Sequence, residues 1–270
     1  MTIKNYKNLF EAAEKGTVED VRGFVEGGAD INAVDDNGGT LLHVAACYNS
    51  DAEVLEYLIS KGVDANAKDN YDCTALHDAA RNNPNIQVLK CLVSGGADVN
   101  AKDSSGKTPL HRAAACSSDV DVLEYLVSQI TDVNVKDSEN GTPLHDAAQT
   151  NSNADIVKWL IAHGSNVNAK DKRGYTPLHC AAGHNQNTEV LKHLVVSCAD
   201  VNAKANLGNT PLHLTAIYNS NIEVMRYLIL QGADVNVRNE YGDTPLDVAK
   251  TDEKRRILQE AGRKSGKELT

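Results

Sequence analysis

The chain has 270 residues, enough by length for one domain or two, with few aromatics and a formal net charge of −10 at pH 7. That charge argues against a nucleic-acid backbone as the main partner, which would need a basic stripe. No apolar run approaches the length of a membrane span, and the six cysteines show no Cys-x-x-Cys, so they read as free thiols in a reducing compartment.

Residues 5–37 read as an N-terminal capping unit. Leu9, Ala12 and Ala13 match Leu110, Ala113 and Ala114 of the central copies, but Lys7 stands where those copies have Thr. Glu14, Lys15 and Glu19 put charge on what would be its outward face, as the end of a stacked-repeat protein requires. The start, Met1-Thr2-Ile3-Lys4-Asn5-Tyr6, lacks the apolar core of a signal peptide. A cytoplasmic location is the expectation, with a signal-less secretion route left open.

From residue 38 to 241 the chain repeats. Thr-Pro-Leu-His stands complete at Thr108–His111, Thr142–His145, Thr176–His179 and Thr210–His213, with worn copies from Thr40, Thr74 and Thr244. Successive threonines are 34 residues apart throughout, while Lys7 to Thr40 is 33. A strict period of this length marks stacked supersecondary units rather than one closed core. Threonine suits an N-cap, proline the first helical position, and leucine opens an apolar stripe. In the copy Gly106–Glu139, Leu110, Ala113 and Ala114 define a short first helix, and Val122, Leu123, Leu126 and Val127 a second. The polar turn between them pairs Ser118 with Asp121, and Ser50–Glu53, Ser152–Asp155 and Ser220–Glu223 repeat that spacing, which predicts a capping box.

The second helix ends at Gly62, Gly96, Gly164 and Gly232, the left-handed C-cap position. Ile130 and Cys198 hold the same slot, so each loop there is expected to be strained or to have changed conformation. An extended finger follows, as in Ala97 to Asp103, with a small tip such as Ser104-Ser105-Gly106. In the last copy Asp247 replaces His and Glu253-Lys254-Arg255-Arg256 is charged, which reads as a C-terminal cap over 242–262 with Ile257 and Leu258 inward. Residues 263–270 are polar and are expected to fray.

The in-register pattern T-P-L-H-x-A-A followed by V-L-x-x-L-V-x-x-G-A-D-V-N-A-K-D-x-x-G resembles the ankyrin repeat over roughly Asn5–Gly262. The resemblance implies an all-α ankyrin-repeat helical solenoid with β-hairpin-like fingers: one domain of eight helix-pair units, both caps counted. Two features depart from the family pattern. Six repeats carry one residue more than the usual 33, and their inter-helix turns are Asn- or Ser-rich (Asn49-Ser50, Asn83-Pro84, Ser117-Ser118) where the family has Gly-His.

Six histidines, at 43, 77, 111, 145, 179 and 213, share the T-x-L-H slot. Copies one repeat apart are separated by about 8–10 Å, the spacing of packed helices. A zinc ion needs its ligand atoms within about 2.0–2.3 Å. A structural bond from each ring to the neighbouring finger backbone is therefore the expectation, with no metal and no cofactor. No phosphate loop, His-Glu-x-x-His or Gly-x-Ser-x-Gly is present, so no enzyme is expected. The Asp-Val-Asn asparagines resemble those that asparaginyl hydroxylases modify in animal relatives, and turn chemistry already accounts for them.

Relatives with this repeat usually bind partners on the concave face of finger tips and first helices. The slots that vary there give a candidate set: Tyr48, Tyr71, Asp78, Arg81, Arg112, Asp146, Arg173, Tyr175, Leu214, Tyr218 and Tyr241. Tyrosine and arginine are enriched at binding hot spots, and the alternating charges suit a protein or peptide of complementary charge. Tyr57, Tyr125 and Tyr227 share one second-helix slot with Trp159, a periodicity that reads as packing. The function expected is a non-catalytic scaffold that binds a protein partner, with no nucleic acid, no membrane insertion and a monomeric state. A secreted effector acting on a host protein, or a passive spacer or self-assembly element, stays open.

Overall fold

The computed structural model describes residues 6–130 and 132–267. Fifteen α-helices are found among them, and the sole β feature there is an isolated antiparallel bridge between Val34 and Thr40. The chain divides into two compact units, residues 1–132 and 133–270.

The first unit holds four helix pairs: α1 (Leu9–Lys15) with α2 (Val18–Glu26), α3 (Leu41–Tyr48) with α4 (Ala52–Ser60), α5 (Ala75–Asn82) with α6 (Ile86–Ser94), and α7 (Pro109–Cys116) with α8 (Val120–Gln129). The second holds three pairs: α9 (Pro143–Thr150) with α10 (Ala154–Ala162), α11 (Pro177–His184) with α12 (Thr188–Val196), and α13 (Pro211–Ile217) with α14 (Ile222–Leu230). It closes on α15 (Asp252–Lys267). Within each unit the first helices pack in one row and the second helices in another, an all-helical repeat stack. The leucines and alanines read as core are the core: Leu42, Leu76, Leu110, Leu144, Leu178 and Leu212 are buried, as are Ala46, Ala80 and Ala114.

The expected eight helix pairs become seven pairs and one closing helix. Residues 245–248 turn without forming a helix. With no following finger to meet, the turn needs only a cap, and Asp247 supplies it by accepting the Thr244 N–H at 2.8 Å. Ile257 and Leu258 are buried as expected. The backbone of α15 continues to Lys267, within the tail expected to fray from 263, and residues 268–270 lie outside the described residues. At the other end Asn8, not position 7, caps α1, accepting the Glu11 N–H at 2.9 Å.

The extra residue of the 34-residue repeat lies in the inter-helix turn. The first copy spans that turn with Gly16 and Thr17, whereas later copies use three residues such as Asn49-Ser50-Asp51. The longer turn seats a buried asparagine whose amide fastens two repeats. Asn49 donates to the Ala13 and Gly16 carbonyls, Asn83 to Ala46 and Asn49, Asn185 to Ala148 and Asn151, and Asn219 to Ala182 and Asn185, all at 2.8–3.1 Å. Those alanine carbonyls belong to the last turn of a first helix, where no intrahelical donor exists. The side-chain oxygen of each asparagine accepts the N–H two residues on. The predicted Ser-based capping boxes do not form: the N-cap is the next residue, Asp51, Asn85, Asp119, Asn153, Asn187 or Asn221.

Lys254 fills the same role at the final layer. Part of the charged cap segment, it is 5 % exposed, and its ammonium donates to the Thr215 and Ala216 carbonyls at 2.9 and 3.2 Å. Ala216 is one repeat beyond Ala182, so the lysine meets the same kind of helix end that Asn219 meets.

Candidate partner-binding face

Six of the seven fingers are built on one acidic or amide side chain, and the other has Ala205 in that slot. Asp35, Asp69, Asp103, Asp137, Asp171 and Asn239 each accept, through one oxygen, the N–H groups two and four residues ahead. The tip residue is left-handed at every copy: Gly38, Gly106, Gly174, Gly208 and Gly242, and also Asp72 and Asn140 at φ 59° and 61°. Asp and Asn are the non-glycine residues that best tolerate that region. Adjacent fingers join through their backbones, as from the Asn70 N–H to the Asn37 carbonyl at 2.9 Å.

The T-x-L-H slot locks finger to helix. In the described bonds Nδ1 of each histidine accepts its threonine's backbone N–H at 3.1–3.2 Å. Nε2 of His43, His77, His145, His179 and His213 reaches the next finger's carbonyl at 3.0–3.1 Å. An Nδ1 that accepts and an Nε2 that donates define the neutral Nε2–H tautomer. Burial lowers the pKa of His77, His145 and His213 and brings His179 down to about 4. The finger-backbone role expected for these histidines is the one they have.

On this scaffold the first unit carries Tyr48, Tyr71, Asp78, Arg81 and Arg112. Tyr48 and Tyr71 stand in solvent, and Arg81 is exposed. Arg112 does not stand free: its guanidinium forms an ion pair with the buried Asp103 of its own finger. Burial pushes the Asp103 carboxyl up, but the Lys107 N–H and the Arg112 charge outweigh it and hold the carboxyl below its usual value. Asp78 is half-buried, and burial raises its pKa to about 6, with His43, Asp69, Arg81 and Arg112 acting on its charge.

The second unit carries Asp146, Arg173, Tyr175, Leu214, Tyr218 and Tyr241. Tyr218 and Tyr241 are exposed, as is Arg173. The Tyr218 ring stacks on His184 with centroids 5.6 Å apart, and the half-buried Tyr175 stacks on His179 at 5.4 Å. Burial raises the Tyr175 pKa, with the Tyr218 phenol adding to it. Asp146 is half-buried. Leu214 is the correction: at 3 % exposure it cannot meet a partner. It lies over Gly183 of the preceding repeat, where an added Cβ would come within 3.6 Å of its own Cβ. His184 and exposed Leu207 lie in the same variable slots and join this surface, although residue type alone did not select them.

The second-helix aromatics are packed rather than presented. Tyr57 is buried with Arg22 and Lys61 over its ring, Lys90 lies over Tyr125, and Trp159 stacks on His163 at 3.7 Å. Among the described residues no helix is long and apolar enough to cross a membrane.

The family model for ankyrin repeats (three copies) matches residues 9–103, 74–137, 110–204 and 178–260. The crystal structure of the human ASB11 ankyrin repeat domain is similar, with a TM-score of 0.71 and 24 % identity, over 85 % of this chain and 99 % of that one. A search of the curated proteins finds no match.

Proposed function

Because the chain belongs to the ankyrin-repeat family, whose repeats are generally protein–protein interaction modules on a typically non-catalytic fold, we propose that it is a scaffold binding a protein partner through the concave face of fingers and first helices. The observation that carries this reading is the exposure of Tyr48, Tyr71, Tyr218 and Tyr241, each 60–70 % open to solvent. An exposed tyrosine offers a large apolar face and a polar tip at low entropic cost, which is why it recurs at binding hot spots. The fingers that present Tyr71 and Tyr241 are fixed by Asp69 and Asn239, so little order has to be acquired on binding. Arg81, Arg173 and His184 supply polar contacts around the tyrosines, and the location we propose is cytoplasmic.

Affinity capture from the native source, read by mass spectrometry, tests the reading. Tyr48→Ala with Tyr71→Ala, and separately Tyr218→Ala with Tyr241→Ala, should reduce capture of the same partner while leaving helix content unchanged. Capture that survives both pairs but fails on replacing the second-helix residues Glu56 and Lys158 would move the site to the opposite face.

A further inference from the structure

A slot in the last turn of the second helix changes character between the two units. In α4, α6 and α8 of the first unit it is Ser60, Ser94 and Ser128, whose hydroxyls donate back to the Tyr57, Cys91 and Tyr125 carbonyls at 2.6–2.9 Å. In the second it is Ala162, Val196 and Leu230, and Val196 and Leu230 are 80 % and 79 % exposed. A groove of about 300 Å³ runs between α14 and α15, with Ile229, Leu230, Ile257 and Ala261 in its lining. Arg226 borders it from α14 and Glu260 from α15.

We infer that this groove, which Leu230 lines, together with exposed Val196 at the equivalent slot one repeat earlier on α12, is a self-association surface whose occupant is a second copy of this chain. Three observations select that occupant. The patch carries both a projecting leucine and a recess, so a two-fold rotation seats each Leu230 in the groove of the other copy, as an isologous contact requires. The same rotation brings Arg226 of each copy towards Glu260 of the other, opposite signs from one surface. Arg226 already pairs with Glu223 at 3.4 Å, but that pair is half-exposed and too weak to hold it from a second partner. Finally, the net charge of −10 lies wholly in the first unit. Residues 1–132 hold 11 Lys and Arg against 21 Asp and Glu, and residues 133–270 hold 16 against 16. Copies meeting through the first unit would repel, whereas copies meeting through the second bring no net charge together. The patch is small beside an obligate interface, so the dimer is reversible.

Sedimentation velocity on the full chain, from low micromolar to near-millimolar concentration, tests the inference. A monomer–dimer equilibrium is expected, which Leu230→Glu shifts fully to monomer, as does Val196→Glu. Both residues are exposed, and unchanged far-UV circular dichroism excludes misfolding. Arg226→Glu should raise the dimer Kd about tenfold, and adding Glu260→Arg to it should restore the original value. A chain monomeric at every concentration leaves the groove to another protein and overturns the inference. So does a dimer that survives Leu230→Glu, or one that the paired charge reversal fails to restore.

Discussion

Ile130 and Cys198 occupy the same position of the repeat and take opposite conformations. Cys198 is left-handed at φ 67°, beside Gly62, Gly96, Gly164 and Gly232 at 88° to 93°. Ile130 is extended at φ −119° and ψ 164°, and α8 is one residue longer than the nine-residue helices α4, α6 and α10. A β-branched side chain makes the left-handed region costly, so the loop at Ile130 has given way, while the unbranched cysteine still follows the glycine path. Cys198→Gly should therefore stabilise the chain by about 0.5–1 kcal/mol, since the thiol side chain is exposed and loses no packing. Ile130→Gly should bring no gain. Urea midpoints of the two variants check both statements, and a gain at Ile130 larger than that at Cys198 would contradict them.

The asparagine spine gives the second prediction. Asn83→Ala strips two first-helix and turn carbonyls of their donor and the Asn85 N–H of its acceptor, all in a buried turn. A buried polar group left unsatisfied costs about 1–3 kcal/mol, so a total loss of roughly 2–4 kcal/mol is expected. Asn83→Asp should be no better, because a carboxylate cannot donate to a carbonyl. An Asp variant as stable as the wild type in chemical denaturation would show that the donated bonds are dispensable.

Much of this architecture is written in residue type and spacing. Thr and His at fixed intervals announce the helix start and the finger lock, and Asp in the finger announces the turn. What stays hidden depends on a neighbour in another repeat. Asn49 and Asn83 look like ordinary turn residues until the preceding helix brings its carbonyls to them. Leu214 shares a slot with the half-buried Asp78, Arg112 and Asp146, and is buried against Gly183 one repeat earlier. Lys254 reads as part of a charged cap segment because nothing local says that a helix end will be waiting. The Ser-based caps fail for a simpler reason: Asp and Asn one residue later are as good at capping, and the longer turn places them at the helix start.

Lys254 is the third test. Lys254→Met keeps the length of the side chain but leaves the Thr215 and Ala216 carbonyls without its ammonium. A loss of about 1–3 kcal/mol is expected, concentrated where α15 docks. Limited proteolysis should then cut within 252–262 well before the rest of the second unit. Equal protection of α15 in variant and wild type would refute the capping role.

Acid should weaken the finger locks. His179 has its pKa lowered by burial from 6.5 to about 4, so the unfolded chain takes up the proton first as pH falls. Its contribution to stability is complete above about pH 6.5 and is lost between 6.5 and 4, amounting to roughly 1–3 kcal/mol at the acid end. His179→Gln cannot titrate, although it keeps an acceptor for the Thr176 N–H. It should be less stable than wild type at pH 7.5, and its urea midpoint should fall less between pH 7.5 and 4.5. Parallel pH profiles would show that His179 is not among the groups responsible.

Asp78 should act in the opposite sense. Burial raises its folded pKa from 3.8 to about 6, so the native chain holds the proton to higher pH than the unfolded chain does. Folding is then least penalised below about pH 4, and the penalty grows as pH rises through 6, when the half-buried carboxylate ionises. His43, Arg81 and Arg112 favour the charge and Asp69 opposes it, but together they do not repay the burial. Asp78→Asn should therefore stabilise the first unit at pH 7.5 by about 1–2 kcal/mol, with the gain shrinking towards zero at pH 4. The measurement is the difference in unfolding free energy between variant and wild type across that range. A difference that is flat with pH, or that grows as pH falls, would show that Asp78 is ionised in the folded chain throughout and that its charge is compensated.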